Sequence, residues 1–328
     1  MKCINKWICL SLLIAVSCVS GCGKTSAAIE QPYDVYATAA DFGLSSNGTA
    51  EAKSYFASDL CVSEDVAIGT DSTDSQVAEG AGTFNLETNT VVYAKNLYER
   101  LYPASTTKIL TAYIALKYCD DLDAMVTVSE NAVNQASDSS VCNLKAGDVI
   151  RLRDLLYGLM LRSGNDAAVA IAEYISGDVD SFAALMNQEA AAMGATRSHF
   201  VNPNGLPDEN HYTCVYDMYL IFSNAIKNDT FVSIIGTTSY DVPYTVASGE
   251  AVTHTWENTN QYLTGNATTP DGFQIVGGKT GTTGEAGYCL VLYSYNPSGQ
   301  PIISIVFKAD GKSNLYLLMN EMLQGFAI

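Results

Sequence analysis

The order of strand-like and helix-like segments most limits the fold of this chain. Two short strands are predicted at 84–86 and 91–94, on either side of a Thr-Asn-Thr turn. The last third favours strands again, at 288–295 and 302–307 around Asn-Pro-Ser-Gly, and then a closing helix at 313–326. Strand pairs at both ends with helices between them predict a mixed domain that contains both sheet and helix.

The middle of the chain has the apolar periodicity of helices. Buried-face residues recur every three or four positions in five segments, at 106–118, 152–162, 165–176, 180–193 and 215–227. The chain has 328 residues, 48% of them hydrophobic, which is enough to bury a sizeable core. Internal repeats are not evident.

Charge and histidine content exclude several classes of function. The chain has 17 Lys+Arg against 35 Asp+Glu, a net charge of −18, whereas nucleic-acid binding needs a cationic surface. Its three histidines are scattered and there is no Cys-x-x-C, so the sequence does not predict a zinc site.

The N-terminus has the features of a targeting segment. Lys2 and Lys6 precede an apolar run at 8–19, which is too short to span a bilayer as a mature helix. Val-Ser-Gly-Cys then ends at Cys22 and resembles a bacterial lipobox, although an ordinary secretory signal with an incidental cysteine is the alternative. We therefore expect a lipoprotein signal peptide over 1–21 and lipidation of Cys22, whose two acyl chains anchor stably to a membrane.

An acidic tether is predicted to link this anchor to the domain. Residues 22–80 contain ten acidic side chains and two lysines, are rich in Ser, Thr, Ala and Gly, and show weak periodicity. The domain itself is expected over 81–328. Five cysteines follow Cys22, one in the tether and four in the domain, and they are widely spaced. We expect them mainly to be buried thiols, with one disulfide as the alternative. They are Cys61, Cys119, Cys142, Cys214 and Cys289.

Three short motifs carry the candidate chemistry. Ser105 and Lys108 form S-x-x-K at a predicted helix start, which places hydroxyl and amine on one face, one turn apart. A serine hydroxyl needs a neighbour to take its proton, and a lysine of lowered pKa can do so. Ser163 and Asn165 form S-x-N, and Lys279 begins K-T-G. Each motif alone is weak evidence, because helix caps and surface loops produce the same patterns.

A phosphate-binding loop is the rival interpretation of Gly-Lys-Thr. The Walker A pattern requires a glycine where this chain has Phe273, and Gly272 is one residue out of place. The segment also leads into strands and not into a long helix, so the sequence disfavours nucleotide binding.

The order and spacing of the three motifs resemble those of penicillin-binding proteins and serine β-lactamases. The flanking strings PASTTKILTA, SGNDAAVAIAEYISG, FVNPNGLPD and GGKTGTTGEAGYCL are most similar to D-alanyl-D-alanine carboxypeptidases of the serine peptidase S11 type. The resemblance runs from about residue 82 to the C-terminus. It implies an α/β (α+β) fold with an antiparallel sheet flanked by helices, a mostly helical lobe, and the active site in the cleft between them.

The resemblance also implies a role for each motif residue in catalysis. Ser105 is then the acylated nucleophile, Lys108 the general base, Ser163 a proton relay, and Asn165 a partner of Lys108 and of the substrate backbone. The backbone N–H groups of Ser105 and Thr282 are expected to form the oxyanion hole. The implied reaction removes the terminal D-alanine from peptidoglycan stem peptides by acyl transfer to water, without metal or cofactor.

The K-T-G strand is expected to hold the substrate. Lys279 supplies positive potential. Lys108 and Lys279 are expected to be close cations in one cleft, so that each lowers the pKa of the other. Thr280 and Thr282 contact the terminal carboxylate, and Gly281 leaves the strand edge bare so that a peptide can pair with it. The implied partners are stem peptides, β-lactams as covalent inhibitors, and a membrane through the lipid. A monomer outside the cytoplasmic membrane is expected.

This chain departs from the family in one respect. Several relatives bind the substrate carboxylate with an arginine downstream of K-T-G, but no arginine follows Arg197 here. Lys308 and Lys312 remain to replace it, although a lysine lacks the bidentate fork of arginine.

Three alternative functions stay open. A class A-like β-lactamase needs a glutamate with an asparagine four residues on, whereas Glu209 is followed by Thr213 at that distance. An endopeptidase that cuts peptide crosslinks has the same motifs, and an inactive cell-wall-binding module would keep only the fold. Outside the motifs, we expect Asp166 to cap the following helix, and His211 and Tyr212 to have packing roles in preference to places at the cleft rim.

Overall fold

Strands from both ends of the chain meet in one sheet in the computed structural model, which describes residues 57–328. The strands of this part are β1 (Ala78–Asn85), β2 (Thr90–Lys95), β3 (Met125–Thr127), β4 (Val149–Arg151), β5 (Ser239–Thr245), β6 (Ala251–Glu257), β7 (Gln274–Thr283), β8 (Gly287–Tyr295) and β9 (Pro301–Ala309). Five of them form an antiparallel sheet in the order β2-β1-β9-β8-β7. Pairing of β1 with β9 therefore joins the two ends of the domain.

Helices cover the sheet and build the remaining lobe. They are α1 (Lys108–Tyr118), α2 (Glu130–Val133), α3 (Leu152–Tyr157), α4 (Asn165–Ser176), α5 (Val179–Ala192), α6 (Val215–Ala225), α7 (Asp229–Ile235) and α8 (Lys312–Phe326). A 3₁₀ turn, Ala104–Thr107, leads into α1, and a π-helical turn, Gly158–Arg162, follows α3. All five mid-chain helices predicted from periodicity are present, although the one predicted over 152–162 divides at the π-helical turn.

The central sheet is buried on both faces. Along β8, Leu290 and Leu292 belong to the core shared with α8, whereas Cys289 and Val291 belong to the core shared with the other helices. Successive side chains of a strand point to opposite faces, so a strand between two helical layers reads as a continuous apolar run. This arrangement confirms the predicted α/β (α+β) fold, with an antiparallel sheet between helices and a mostly helical lobe.

A second, four-stranded sheet, β3-β4-β5-β6, was not predicted from the sequence. Its longest strands, β5 and β6, bury only one face, through Val242, Tyr244 and Trp256. Their other face is polar and exposed, so the apolar signal is sparse. Trp256 packs beside Gly158 in the π-helical turn and does not line the cleft described below.

The segment at 57–77, expected to belong to the tether, lies against the domain. The Cys61 backbone N–H donates to Tyr219 Oη at 2.9 Å, and Tyr216 Oη donates to the Cys61 carbonyl at 2.9 Å. Ile68 forms a β-bridge with Ala94 of β2. Part of the segment that the sequence assigned to the tether therefore packs on the domain. The expected signal peptide, Cys22 and the first part of the tether lie outside the described residues.

The five cysteines of the described chain are all free thiols, which agrees with the main expectation for them. Four are buried and Cys119 is partly exposed. Burial raises the pKa of the Cys289 thiol to about 12 and that of Cys142 well above its ordinary value, so both stay protonated near neutral pH.

Candidate active site

The S-x-x-K motif spans the join between the 3₁₀ turn and α1. Ser105 is partly exposed in the turn, whereas Lys108, the first residue of α1, is fully buried. Lys108 Nζ lies 2.8 Å from Ser105 Oγ. The turn needs a left-handed residue, Ala104 with φ +46°, immediately before Ser105. Such strained backbone concentrates at functional sites, where the surroundings hold it in place.

The Lys108 amine has two further partners, and both are carbonyl oxygens. Asn165 Oδ1 lies 2.8 Å from Nζ and the backbone oxygen of Asn204 also lies 2.8 Å from it. Burial lowers the pKa of Lys108 well below its ordinary value, and nearby Lys279 lowers it further. A neutral amine has two N–H groups and one lone pair. The two carbonyls accept the N–H groups, so the lone pair faces the Ser105 hydroxyl.

Ser163 and Lys279 form a second pair in the same site. Ser163 has left-handed backbone, with φ +60°, where the π-helical turn ends before α4. Lys279 extends from β7 and is buried, and its Nζ donates to Ser163 Oγ at 3.0 Å and to the Thr280 carbonyl at 2.8 Å. Burial lowers the pKa of Lys279 to about 7. The pair connects the K-T-G strand to the S-x-N loop.

The two lysines were expected to lower each other's pKa. Burial is the larger cause of the lowered pKa of Lys108 and the charge of Lys279 adds to it, whereas burial is the cause that lowers the pKa of Lys279.

Strand β7 lies at an edge of the sheet and passes directly against the 3₁₀ turn that contains Ser105. A Cβ atom on Gly281 would lie 2.9 Å from the Ser105 backbone nitrogen, so only glycine permits this approach. Thr280 Oγ1 lies 2.6 Å from Thr259 Oγ1, and Thr282 follows on the exposed side of the strand. An edge strand has backbone groups without a strand partner, which an extended peptide can bind.

A cleft of about 210 Å³ opens where these elements meet. The residues that line it are Ser105, Ser140, Ser163, Thr259, Thr280, Gly281, Thr282, Tyr288, Cys289, Lys312, Leu315 and Tyr316. Within the described chain, Lys312 is the one charged side chain among them. The expected motif residues Ser105, Lys108, Ser163, Asn165, Lys279, Thr280, Gly281 and Thr282 are thus brought together in and beneath one cleft.

Ser140, Thr259 and the Asn204 carbonyl were not identified as site groups in the sequence. Thr259 lies in the string Asn-Thr-Asn, and Asn204 in the loop Asn-Pro-Asn-Gly, and both strings signal ordered turns. A backbone carbonyl has no residue-type signature, so Asn204 could not be assigned its contact with Lys108 from sequence.

Two expectations about neighbouring residues have different outcomes. Asp166 was expected to cap α4; Gly164 is the N-cap residue, and the Asp166 carboxylate accepts the backbone N–H of Ala167 in the first turn of α4 as well as those of Cys142 and Leu144. It thereby fixes the loop that contains Ser140. His211 is fully buried and packs beneath the site, as expected.

Comparisons with known proteins identify the family of this chain. A model of the family described as D-alanyl-D-alanine carboxypeptidase, Peptidase S11, matches residues 69–311. The chain is 32% identical to D-alanyl-D-alanine carboxypeptidase DacF of Bacillus subtilis over 75% of its own length and 61% of that relative's. It is 34% identical to the D-alanyl-D-alanine carboxypeptidase of Streptomyces sp. strain K15, over 76% of this chain and 88% of the relative.

Solved structures show the same fold. The crystal structure of the Streptomyces K15 DD-transpeptidase superposes with a TM-score of 0.68 at 33% identity, over 74% of this chain and 96% of that one. The D-alanyl-D-alanine carboxypeptidase DacD of Francisella tularensis gives 0.67 at 29% identity, over 81% and 72%. With this fold and three motifs in one cleft, the chain belongs to the D-alanyl-D-alanine carboxypeptidase family of serine peptidases, Peptidase S11.

Proposed function

We propose that this protein is a serine D,D-carboxypeptidase that removes the terminal D-alanine from peptidoglycan stem pentapeptides. The observation that carries the proposal is the environment of Lys108. Its buried amine lies 2.8 Å from Ser105 Oγ and 2.8 Å from each of two carbonyl oxygens, so the neutral amine that burial favours can donate to the carbonyls and keep its lone pair for Ser105. This is the arrangement that a serine nucleophile needs from a general base.

The proposed reaction has two acyl-transfer steps. Ser105 Oγ attacks the carbonyl carbon of the D-Ala–D-Ala bond while its proton passes to Lys108. The oxyanion forms beside the backbone N–H groups of Ser105 and Thr282, and each aligned donor contributes about 3 kcal/mol of transition-state stabilisation. The proton taken up by Lys108 passes by way of Ser163, which Lys279 holds, to the leaving nitrogen, and D-alanine departs. Water then attacks the acyl-enzyme and gives a proton to Lys108, which returns it to Ser105 Oγ as the trimmed peptide leaves.

Recognition of the substrate carboxylate is assigned to Lys312 together with Thr280 and Thr282. Lys312 begins α8 and lines the cleft. Lys308, the other downstream cation, lies on β9 with its Nζ 2.7 Å from Glu79 Oε1. That ion pair already partners Lys308, whereas Lys312 lines the cleft and has no ion pair within residues 57–328.

A β-lactamase is not favoured by the lining of the cleft. No carboxylate of the described chain lines it, so a deacylation base of the β-lactamase kind is lacking there. Glu209 lines a separate pocket with Arg100, Tyr102 and Tyr212. β-Lactams are therefore proposed to act as covalent inhibitors that leave a lasting adduct on Ser105.

We also propose an extracytoplasmic location, which the family's cell-wall chemistry supports. The lipobox-like sequence at Cys22, the signal peptide over 1–21 and the acidic segment after it support lipid anchoring. No helix within residues 57–328 has the length and apolarity to cross a bilayer. Metabolic labelling with a palmitate analogue, compared between the natural chain and Cys22→Ala, tests the anchor.

Release of free D-alanine from a pentapeptide ending in D-Ala-D-Ala tests the activity. The account expects release by the natural protein and none by Ser105→Ala. Addition of an amine acceptor distinguishes hydrolysis from transfer, a comparison that matters because the similar Streptomyces K15 structure is that of a DD-transpeptidase. A folded protein that releases no D-alanine but cleaves crosslinked muropeptides would be an endopeptidase.

A further inference from the structure

His211 lies directly beneath the catalytic turn, and the proposed reaction gives it no role. It is fully buried, and its ring packs edge-on against Phe200, with centroids 5.4 Å apart. Its Nε2 lies 2.9 Å from Thr107 Oγ1, and its Nδ1 lies 3.2 Å from the Val201 backbone nitrogen. One imidazole therefore contacts two separate segments of chain, one in the turn and one at the start of a loop.

The two contacts determine the tautomer of His211. The Val201 backbone N–H can only donate, so Nδ1 must be unprotonated and accept. The neutral ring then carries its proton on Nε2 and donates it to Thr107 Oγ1. Burial lowers the pKa of His211 to about 4, opposed by Asp208 and assisted by His199 and Lys108. The ring is accordingly neutral near pH 7.

The loop that begins at Val201 reaches the catalytic lysine through its backbone. Asn204 supplies the carbonyl that Lys108 Nζ contacts at 2.8 Å, and the Pro203 carbonyl accepts from Thr111 Oγ1 at 2.7 Å. Gly205, with φ +87°, lies so close to the turn that a Cβ atom would be 1.8 Å from the Ala104 carbonyl oxygen. The loop thus contacts the chain on both sides of Ser105 and Lys108, at the backbone of Ala104 and at the side chain of Thr111.

We propose that His211 is a positioning residue that sets the direction of the Lys108 lone pair. Its two hydrogen bonds join Thr107, which lies between Ser105 and Lys108, to the loop that presents the Asn204 carbonyl. If the loop moves, the amine loses one of its two acceptors and can rotate its lone pair away from Ser105. This inference rests on the proposed function, since it concerns the base of that reaction.

Thr107 gives the cleanest test, because Thr107→Val removes the hydroxyl without changing the shape and Thr107→Ser restores it. His211→Phe keeps the packing and removes both ring hydrogen bonds. Thr83→Val is the matched control, since Thr83 Oγ1 has a similar buried contact with Ser304 Oγ inside the sheet. Acylation by a fluorescent penicillin is resolved into a binding constant and an acylation rate constant, with melting temperatures recorded for each variant.

The proposal expects the acylation rate constants of Thr107→Val and His211→Phe to fall about 10- to 100-fold. A shift of the Lys108 amine of less than about 1 Å relative to Ser105 Oγ has an effect of this size. The binding constants for penicillin should change less than about twofold, because the proposed role of His211 concerns the chemical step and not binding. Thr107→Ser and Thr83→Val should acylate like the natural protein. The double variant should be no slower than His211→Phe alone, because both changes break one connection.

Other outcomes overturn the inference. Lower melting temperatures with unchanged acylation rate constants would show that His211 only stabilises the fold. If His211→Phe does not fold, the Thr107→Val and Thr107→Ser pair decides the question alone. A ring nitrogen NMR spectrum with the proton on Nδ1 would contradict the tautomer. Failure of the natural protein to acylate would instead refute the proposed function, and would leave no base for His211 to position.

Discussion

The side-chain oxygen of Asn165 lies 2.8 Å from Lys108 Nζ and accepts one of its N–H groups. An aspartate at the same place would be almost the same shape but negatively charged, and would favour the protonated amine. We expect Asn165→Asp to raise the pKa of Lys108 by about one to three units. Lys108 acts as base only when neutral, so acylation increases as pH rises through its pKa.

The acid limb of the acylation profile should therefore move to higher pH in Asn165→Asp, with a lower rate at pH 7 that recovers in alkaline solution. The measurement is the second-order rate constant for penicillin acylation between pH 5 and 10. Asn85→Asp, a buried amide in β1, controls for loss of stability. An acid limb that stays in place would mean that Lys108 is not the base.

Gly281 should be intolerant of a side chain. Its missing Cβ would lie 2.9 Å from the Ser105 nitrogen and 3.1 Å from the Ala104 Cβ, so Gly281→Ala must push β7 away from the turn. A displacement of this kind costs about 100-fold in acylation rate. Gly284→Ala is the matched control, because nothing lies within 4 Å of a Cβ there. Equal acylation rates for the two variants would refute the close approach.

The fold and the motif residues could be predicted from sequence because their signals are local. Ser105 and Lys108 are one helical turn apart in the sequence. Successive residues of β8 form an apolar run, which marks a strand that is buried on both faces. The polar hairpin of β5 and β6 gave no such signal, since half of each strand faces solvent.

Contacts that join distant parts of the chain could not be predicted from the sequence. Asn204 is 96 residues from Lys108 and acts through its backbone, so its residue type carries no information about the contact. Asp166 illustrates the same limit. Its position at a helix start indicated the contact with the first turn of α4, at Ala167, but not the contacts of its carboxylate with the backbone of Cys142 and Leu144 in an earlier loop.

Burying Lys279 should make the protein less stable at neutral pH than it would be with an apolar residue. Its folded pKa of about 7 lies below its ordinary value, so the unfolded chain binds more protons between about pH 7 and 10.5. The free energy of unfolding of the natural protein therefore decreases as pH falls from about 10.5 to about 7, by roughly 5 kcal/mol in total.

Lys279→Met removes this titration while filling most of the space. We expect the variant to be inactive, and its melting temperature relative to the natural protein to be highest near pH 7 and to decline toward pH 10. Calorimetry over that range measures the difference. A constant difference across the range would show that Lys279 titrates normally in the folded state.

Lys312 should discriminate substrates with a free carboxylate from those without one. Lys312→Ala removes the one charged side chain that the described residues place along the cleft. We expect KM for a D-Ala-D-Ala peptide to rise about tenfold, the effect of losing a charge-assisted contact of about 1.4 kcal/mol, and Lys312→Arg to restore it.

The same peptide with its terminal carboxylate amidated should show no difference between Lys312→Ala and the natural protein. Lys308→Ala is the control, because that lysine is paired with Glu79 on the surface. Equal losses for Lys308→Ala and Lys312→Ala, or a loss with the amidated peptide, would place carboxylate recognition elsewhere.

The central claim is that Ser105 is acylated by the substrate, with D-alanine as the leaving group. Rapid acid quenching of the protein with a D-Ala-D-Ala pentapeptide, followed by peptide mapping by mass spectrometry, locates the acyl group directly. The account predicts a tetrapeptidyl adduct on Ser105, formed together with free D-alanine and absent from Ser105→Ala. Release of D-alanine that persists in Ser105→Ala, or an adduct on another residue, would contradict it.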